Sequence, residues 1–460
     1  KTAYELSLGL VGSEMCIRDR KNIRCLGKRQ KKHRTVMKTL IKHVLLLPLL
    51  LSGQSAIDNA TAAHLEKIIG MRHQIHQNPE LGNREFKTAE LVADHLRSLG
   101  FDEVKTAVAY TGVIGILKGG KPGGVVAVRA DMDGLPVTED TDLPFKSTAR
   151  TTYLDKDVGV MHACGHDIHT SVQLGVAAVL ASIRDEIPGT VKFIFQPAEE
   201  GPPPGEEGGA DLMLKEGAFD DPPPSAVFGL HTHSGLEVGQ IGMTIGPAMA
   251  AVDHFIITIR GKQSHGAYPH KSVDPIIMAT EVVDAFQTIR SRSLSPLEPS
   301  VITVGIIRGG ERFNIIPAEV YMEGTVRTYN PDTRDKVQQR MNEILAGITQ
   351  AYGGSFEFEY DRGTPATIND PALAEQMIPT LKRVVGDDNV LMMDPVMGGE
   401  DFAYFANEVP GMYYRLGVVK PGTTSGWVHT PTFRADDACL EVGIRAMSSV
   451  LLDYLNAVEK

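Results

Sequence analysis

The chain has 460 residues, 42% of them hydrophobic and 22% charged, with a formal net charge of −11. That length accommodates two or three domains around a large core, and that composition excludes wholesale disorder. The acidic balance excludes a general nucleic-acid binder.

Residues 1–20 end in Leu-Gly-Leu-Val-Gly-Ser-Glu-Met-Cys-Ile-Arg-Asp-Arg and resemble a translated sequencing-adapter remnant; a genuine short extension is the alternative. Residues 21–36 are basic, so 1–36 is read as a non-native extension. Met37 opens a signal-peptide pattern over 37–56: Lys38 and Lys42, an apolar run from Val44 to Leu51, then small residues from Ser52 to Ala56. The run is too short to span a bilayer, and no cysteine follows it to carry a lipid. The expectation is export, to a bacterial periplasm or the outside, without a stable membrane anchor. A buried helix is the alternative. Cys16 and Cys25 fall in the discounted stretch, which leaves Cys164 and Cys439, too few for a disulfide framework.

Residues 58–100 show helical periodicity, interrupted at His76-Gln77-Asn78-Pro79-Glu80 by the proline. A structural hydrogen bond is the expected role of His76. Val113–Leu117 and Val125–Arg129, joined by Gly119–Gly124, read as a hairpin or an adjacent strand pair. The second of these strands runs into Asp131 and Asp133. A helix follows over Ser171–Ile183, then strands Val191–Phe195, ending at Glu199-Glu200, and Val227–Leu230, ending at His231. Three strands that finish in metal-competent residues predict an α/β sheet with its site at the carboxyl edge. The Gly- and Pro-rich run 201–209 reads as a loop beside it.

Beyond Gly246-Pro247 the pattern becomes β-α-β-β-α-β: strand 253–260, helix 274–289, strands 301–307 and 320–329, helix 335–352, strand 355–360. That order predicts a ferredoxin-like unit inserted between two parts of the first domain. Helix 375–385, strand 412–416 and helix 436–458 close the chain.

The chemistry concentrates in residues 160–170, where His162, Cys164, His166, Asp167 and His169 fall within eight positions. A thiolate beside imidazole favours a borderline metal such as zinc over magnesium or calcium. Gly165 lets the backbone turn so that Cys164 and His166 converge. A buried structural cysteine, or a nucleophile with histidine as base, are the alternatives. Glu199 and Glu200 follow an apolar strand and Pro197, so one can ligate while the other handles a proton.

Taken together, Arg129–Pro136, Met161–His169, Phe195–Gly201, His231, Ser264–His270, Gly398–Phe402 and His429-Thr430-Pro431 resemble the M20 metallopeptidases. More narrowly they resemble the amidohydrolase branch, with its hippurate, N-acyl-amino-acid and indole-acetyl-amino-acid hydrolases. The resemblance implies a mixed-sheet α/β/α metallopeptidase core over 57–247 and 361–460. It also implies a lid and dimerisation domain over 248–360, through which a homodimer forms. It implies two divalent ions, zinc or manganese with cobalt or nickel as alternatives, held by Cys164, His166, Glu200, His231 and His429. Glu199 matches the general base. His265 matches a histidine that stabilises the oxyanion, in many relatives in the partner subunit's site. Asn314 and Arg327 match residues that hold the substrate carboxylate, and Asp131 an aspartate that orients a ligand. Many other M20 branches carry a His-x-Asp metal motif where this chain has Arg129-Ala130-Asp131. His162, His169 and His233 receive no role. The implied reaction is hydrolysis of an N-acyl amino acid or short peptide. A dipeptidase or carboxypeptidase, or a non-catalytic binder of acylated amino acids, is the rival reading.

Overall fold

The computed structural model describes residues 54–458. The adapter-like stretch and nearly all of the signal-peptide pattern lie outside the described residues. In chain order the fold begins with α1 (54–77) and α2 (Phe86–Ser98), then β1 (Glu103–Val108), β2 (Gly112–Lys118), β3 (Lys121–Asp131) and α3 (His166–Ser182). β4 (Pro188–Gln196), β5 (Val227–Glu237) and β6 (Ile241–Met243) follow. A second sheet is then built from β7 (Ala251–Arg260), α4 (Pro275–Thr288), β8 (Ser300–Gly309), β9 (Glu319–Thr328), α5 (Pro331–Tyr352) and β10 (Ser355–Arg362). The chain returns through α6 (Pro371–Val385), β11 (Val390–Met392), β12 (Gly411–Val419) and α7 (Ala438–Val458).

The first sheet has eight strands in the order β1-β2-β4-β3-β5-β12-β6-β11. The expected neighbouring of β2 and β3 is overturned. β4 inserts between them, antiparallel to β2 and parallel to β3. The Gly119–Gly124 segment does not close a hairpin; Gly119 N–H and Lys121 N–H donate instead to Gly189 and Ile187. A parallel β3–β4 pair needs a crossover, and α3 supplies it.

Alternation along the central strands sorts side chains to two faces. Val126, Val128, Phe193 and Phe195 join a core with α1, α2, α3, α6 and α7. Ala127 and Ile194 face the other way, against the short helices Gly209–Lys215 and Phe402–Glu408. Both faces are covered, which suits strands this apolar.

The second sheet runs β8-β9-β7-β10 with its own core, in which Phe255, Ile257 and Ile259 meet Met278, Val282 and Phe286 of α4 and Val337, Met341 and Leu345 of α5. Its helices begin where the sequence signals it: Asp274 and Asn330 accept a backbone N–H at each start, and proline follows each. The ribbon pairing Gly246–Met249 with Thr367–Asn369 draws the chain together at the passage to and from this sheet.

Candidate metal and catalytic site

The carboxyl ends of β3 and β4, the middle of β5, the start of α3 and the loop before α7 converge. Cys164, His166 and His231 each offer a ligand atom within 4.8 Å of the others; so do Cys164, Glu200 and His429, and His166, Glu199 and Glu200. Cys164 Sγ lies 3.3 Å from His231 Nε2, and His429 Nε2 lies 3.0 Å from Glu200 Oε1.

Local backbone produces this convergence. α3 starts at His166, five residues earlier than its periodicity indicates, because Gly165 at φ +89° turns the chain into it. A Cβ on Gly165 would stand 2.5 Å from Thr232 Oγ1. Ala198 and His429 also have positive φ, +52° and +64°, a costly state for non-glycine residues. Ala198 is held there because its N–H donates to buried Glu85.

The imidazoles are oriented from behind. His166 Nδ1–H donates to Asp133 at 3.0 Å, and Asp133 also accepts the Glu200 N–H. His166 Nε2 is buried, has no hydrogen-bond partner, and faces Glu199 and Glu200. His231 Nδ1–H donates to the Thr232 carbonyl, leaving Nε2 toward Cys164. Asp131 instead accepts from His169 Nδ1 at 2.6 Å, while His169 Nε2 accepts the Thr232 N–H. Both nitrogens of His169 are thus committed to the protein. The direct partner of His166 is Asp133; Asp131 stands 3.7 Å from it. Arg129 is buried between Asp131, Asp401 and Glu400, at 2.7, 2.8 and 3.1 Å.

The electrostatics are those of a cation-seeking site. Burial, with Glu400, Glu200 and Asp401 beside it, pushes Glu199 well above the carboxylate range. Burial would lower His166, yet Asp131 and Asp133 outweigh it and raise the ring to about 10, so a metal bound there would displace its Nε2 proton. Burial, then Glu200 and Glu199, lifts the Cys164 thiol far up, so a thiolate there needs a compensating positive charge. Burial drives His231 well down and keeps it neutral, as a ligand must be. The partnerless His166 Nε2 and the mixed thiol, imidazole and carboxylate donors fit a borderline divalent metal.

A cavity of about 350 Å³ opens on this cluster, lined by Cys164, Glu199, Glu200, His231 and His429 and by Met249, Met393, Val396, Tyr413, Arg415 and Trp427. A second, of about 600 Å³, meets the other side of Glu200, between residues 78–87 and 149–154. The run 201–209 borders that one through Gly201, Pro203 and Pro204. His233 lines the first cavity and packs edge-on against Trp427. His76 makes the structural contacts expected of it, with Asp167 and Glu139.

His265, Asn314 and Arg327 are not brought to this cluster within the subunit. His265 lies on a two-residue ribbon paired with Ile315–Ile316, and Gly266 N–H donates to the Asn314 carbonyl. Arg327 sits on β9. Asn314 Oδ1 and one Arg327 nitrogen are buried without partners. The residues missed from sequence are Asp133, Glu85, Glu400 and Asp401, the last two near Glu199. Asp133 and the Glu400-Asp401 pair stood inside quoted motifs. Glu85, in a helix-capping position, carried no signal.

Residues 127–453 match the model of peptidase family M20/M25/M40. Thermostable carboxypeptidase 2 of Saccharolobus solfataricus is 37% identical over 393 residues, 85% of this chain and 95% of that protein. N-acetyl-L-cysteine deacetylase of Bacillus subtilis is 37% identical over 382 residues, 82% and 85% of the two chains. A Bacillus subtilis crystal structure, described as a dinuclear metal binding peptidase from the M20 family, superimposes with a TM-score of 0.72 at 33% identity, covering 86% of this chain and 99% of that one. The chain belongs to peptidase family M20/M25/M40 and is an amide-bond hydrolase.

Proposed function

We propose that this hydrolase removes the acyl group from N-acyl amino acids, with two divalent ions held by Cys164, His166, Glu200, His231 and His429. The carrying observation is the buried, partnerless His166 Nε2 facing two carboxylates amid three further donors, Cys164, His231 and His429. Divalent ions there would supply Lewis acidity toward the amide carbonyl and acidity to water. The protein supplies the rest. Glu199 takes the proton of water and delivers it to the leaving nitrogen. Burial and then its neighbouring carboxylates raise its proton affinity, and compensating positive charge lowers it again. Asp133 holds His166, Thr232 holds His169 and His231, and Glu85 holds the turn before Glu199. The two cavities flanking Glu200 receive the two halves of the substrate.

His265, Asn314 and Arg327 act within this reading from a dimer made through residues 248–360, with His265 serving the partner subunit. Export through the pattern at 37–56 belongs to the same reading. Light scattering that gives a monomer would remove the role in trans.

The test is a panel of N-acyl amino acids with zinc, manganese or cobalt supplied. Glu199→Gln is expected to lose about 10²- to 10⁴-fold in kcat with metal content unchanged. Full activity in that variant would remove Glu199 from the role of base. Carboxypeptidase action is the second reading, favoured by the name of the Saccharolobus relative. Release of the C-terminal residue from longer peptides would establish it, and a requirement for a free α-amino group would point to a dipeptidase instead.

A further inference from the structure

The buried arginines in and against the first sheet carry their counter-charges with them. Arg72 pairs with Asp167 and Asp437, and Arg129 with three carboxylates. Arg415 differs. It is partly buried, lines the 350 Å³ cavity, and has no ion-pair partner among the described residues. On β12 it sits in register with His231 of β5, so the two side chains share a face of the sheet. Its guanidinium lies 5.7 Å from the centre of the Tyr413 ring, which covers one side and leaves the donor fork free. Asp394, the cavity's carboxylate apart from Glu199 and Glu200, is exposed. The remaining wall combines Met249, Met393 and Trp427 with the uncharged polar residues Ser234 and Thr244, and His233 stands close enough for Arg415 to disfavour its charged form.

A partly desolvated guanidinium without an internal partner is costly, and a ligand carboxylate removes that cost through two parallel hydrogen bonds. We infer that Arg415 receives a carboxylate of the substrate, so that the 350 Å³ cavity holds the amino-acid half and the acyl half lies toward the 600 Å³ cavity across Glu200. This rests on the reading of the substrate as an N-acyl amino acid. The carboxylate is either the α-carboxylate, in which case Arg415 takes the role the resemblance gives to Arg327, or that of an acidic side chain, in which case Arg327 keeps the α-carboxylate; both offer the same planar pair of oxygens.

The experiment measures binding calorimetrically on the purified metal-containing protein. Three near-isosteric ligands are compared: N-acetylglutamine, with only the α-carboxylate; N-acetylisoglutamine, with only the side-chain carboxylate; and N-acetylglutaminamide, with neither. The wild type is expected to bind one of the acids about 10- to 100-fold more tightly than the neutral ligand, and which acid it is names the source. R415Q is expected to bring that ratio close to one, and R415K to keep part of it. A ratio taken within each variant cancels any loss of folded protein. An unchanged ratio in R415Q would give the carboxylate to the metals or to Arg327 and overturn the inference. A wild type that does not discriminate would overturn it too. Arg415-dependent binding without turnover would instead sink the hydrolytic reading and leave this one standing.

Discussion

Gly165→Ala tests whether one backbone turn assembles the site. Gly165 has φ +89° and caps α3 between Cys164 and His166. An L-residue there costs about 1–2 kcal/mol in backbone strain alone. The new methyl would lie 2.5 Å from Thr232 Oγ1 and 2.8 Å from its methyl carbon. Thr232 cannot swing away freely, because it is buried and its hydroxyl donates to the Cys164 carbonyl while its N–H holds His169. Displacing it adds one or two hydrogen bonds, at about 1 kcal/mol each. The sum is about 2–4 kcal/mol, with Cys164 and His166 shifted relative to His231. Trp427, the chain's one tryptophan, lines the same cavity and reports on it. Urea unfolding followed by its fluorescence should show the loss, and metal analysis should show reduced content. Gly70→Ala is the control: it lies within α1 with nothing within 4 Å of the added carbon, and should stabilise by about 0.5–1 kcal/mol. Equal stability and metal content for Gly165→Ala and wild type would refute the reasoning.

Glu85 accepts the Ala198 N–H at 2.8 Å and the Thr111 hydroxyl at 2.5 Å; burial and then Asp133 raise its carboxyl to about 8. Glu85→Gln should therefore behave nearly as wild type at pH 7, whereas Glu85→Ala should lose about 1–3 kcal/mol and at least about tenfold in kcat, as steady-state kinetics would read. For His76, burial opposes the charged ring, but Asp167 and Glu139 raise it from 6.5 to about 9. Its contribution of about 3 kcal/mol is fully present below pH 6.5 and is lost as pH rises through 9. The stability gap between wild type and His76→Gln should be widest near pH 6 and close by pH 10; a constant gap in denaturation curves would count against the ion pair. Removing metal with a chelator should lower the melting temperature, and restoring it at 100 times its Kd should return about 2.7 kcal/mol. No recovery on adding metal back would deny the cluster a cation.

What was legible in the sequence were residues whose chemistry and position agree. Glu199, Glu200 and His231 follow or extend buried parallel strands, which deliver them to one edge whatever the loops do. Cys164-x-His166 was legible because a glycine stood where the chain had to turn. The order of the second sheet's elements was equally plain, since its helices carry caps and its strands alternate. Strand adjacency was not legible. β2 and β3 are separated by only two residues, and local signals favour a hairpin; the parallel pairing of β3 with β4 wins through the core that α3 completes. Nor could spacing tell which carboxylate holds which ring. Asp131 and Asp133 are equivalent by type and two apart, and only the turn after β3 gives His166 to Asp133 and His169 to Asp131.

Arg129 shows why that distinction has consequences. A guanidinium cannot ligate a metal, but it can neutralise a carboxylate permanently. Around it stand Asp131, Glu400 and Asp401, with Glu199 next to the last two. One fixed positive charge among four buried carboxylates leaves the group electrically unsatisfied. Without other cations the deficit must be met by protons: Asp401, by burial and by Glu400 against the pull of Arg129, rises to about 7, and burial and then Glu400 push Glu199 well up. Protons held that way are exchangeable for metal charge, and Glu199, which faces His166 and the cavity rather than Arg129, is the carboxylate on which arriving cations would act. Arg129 pins the carboxylates behind Glu199, which leaves Glu199 as the one that exchanges its proton on the cavity side.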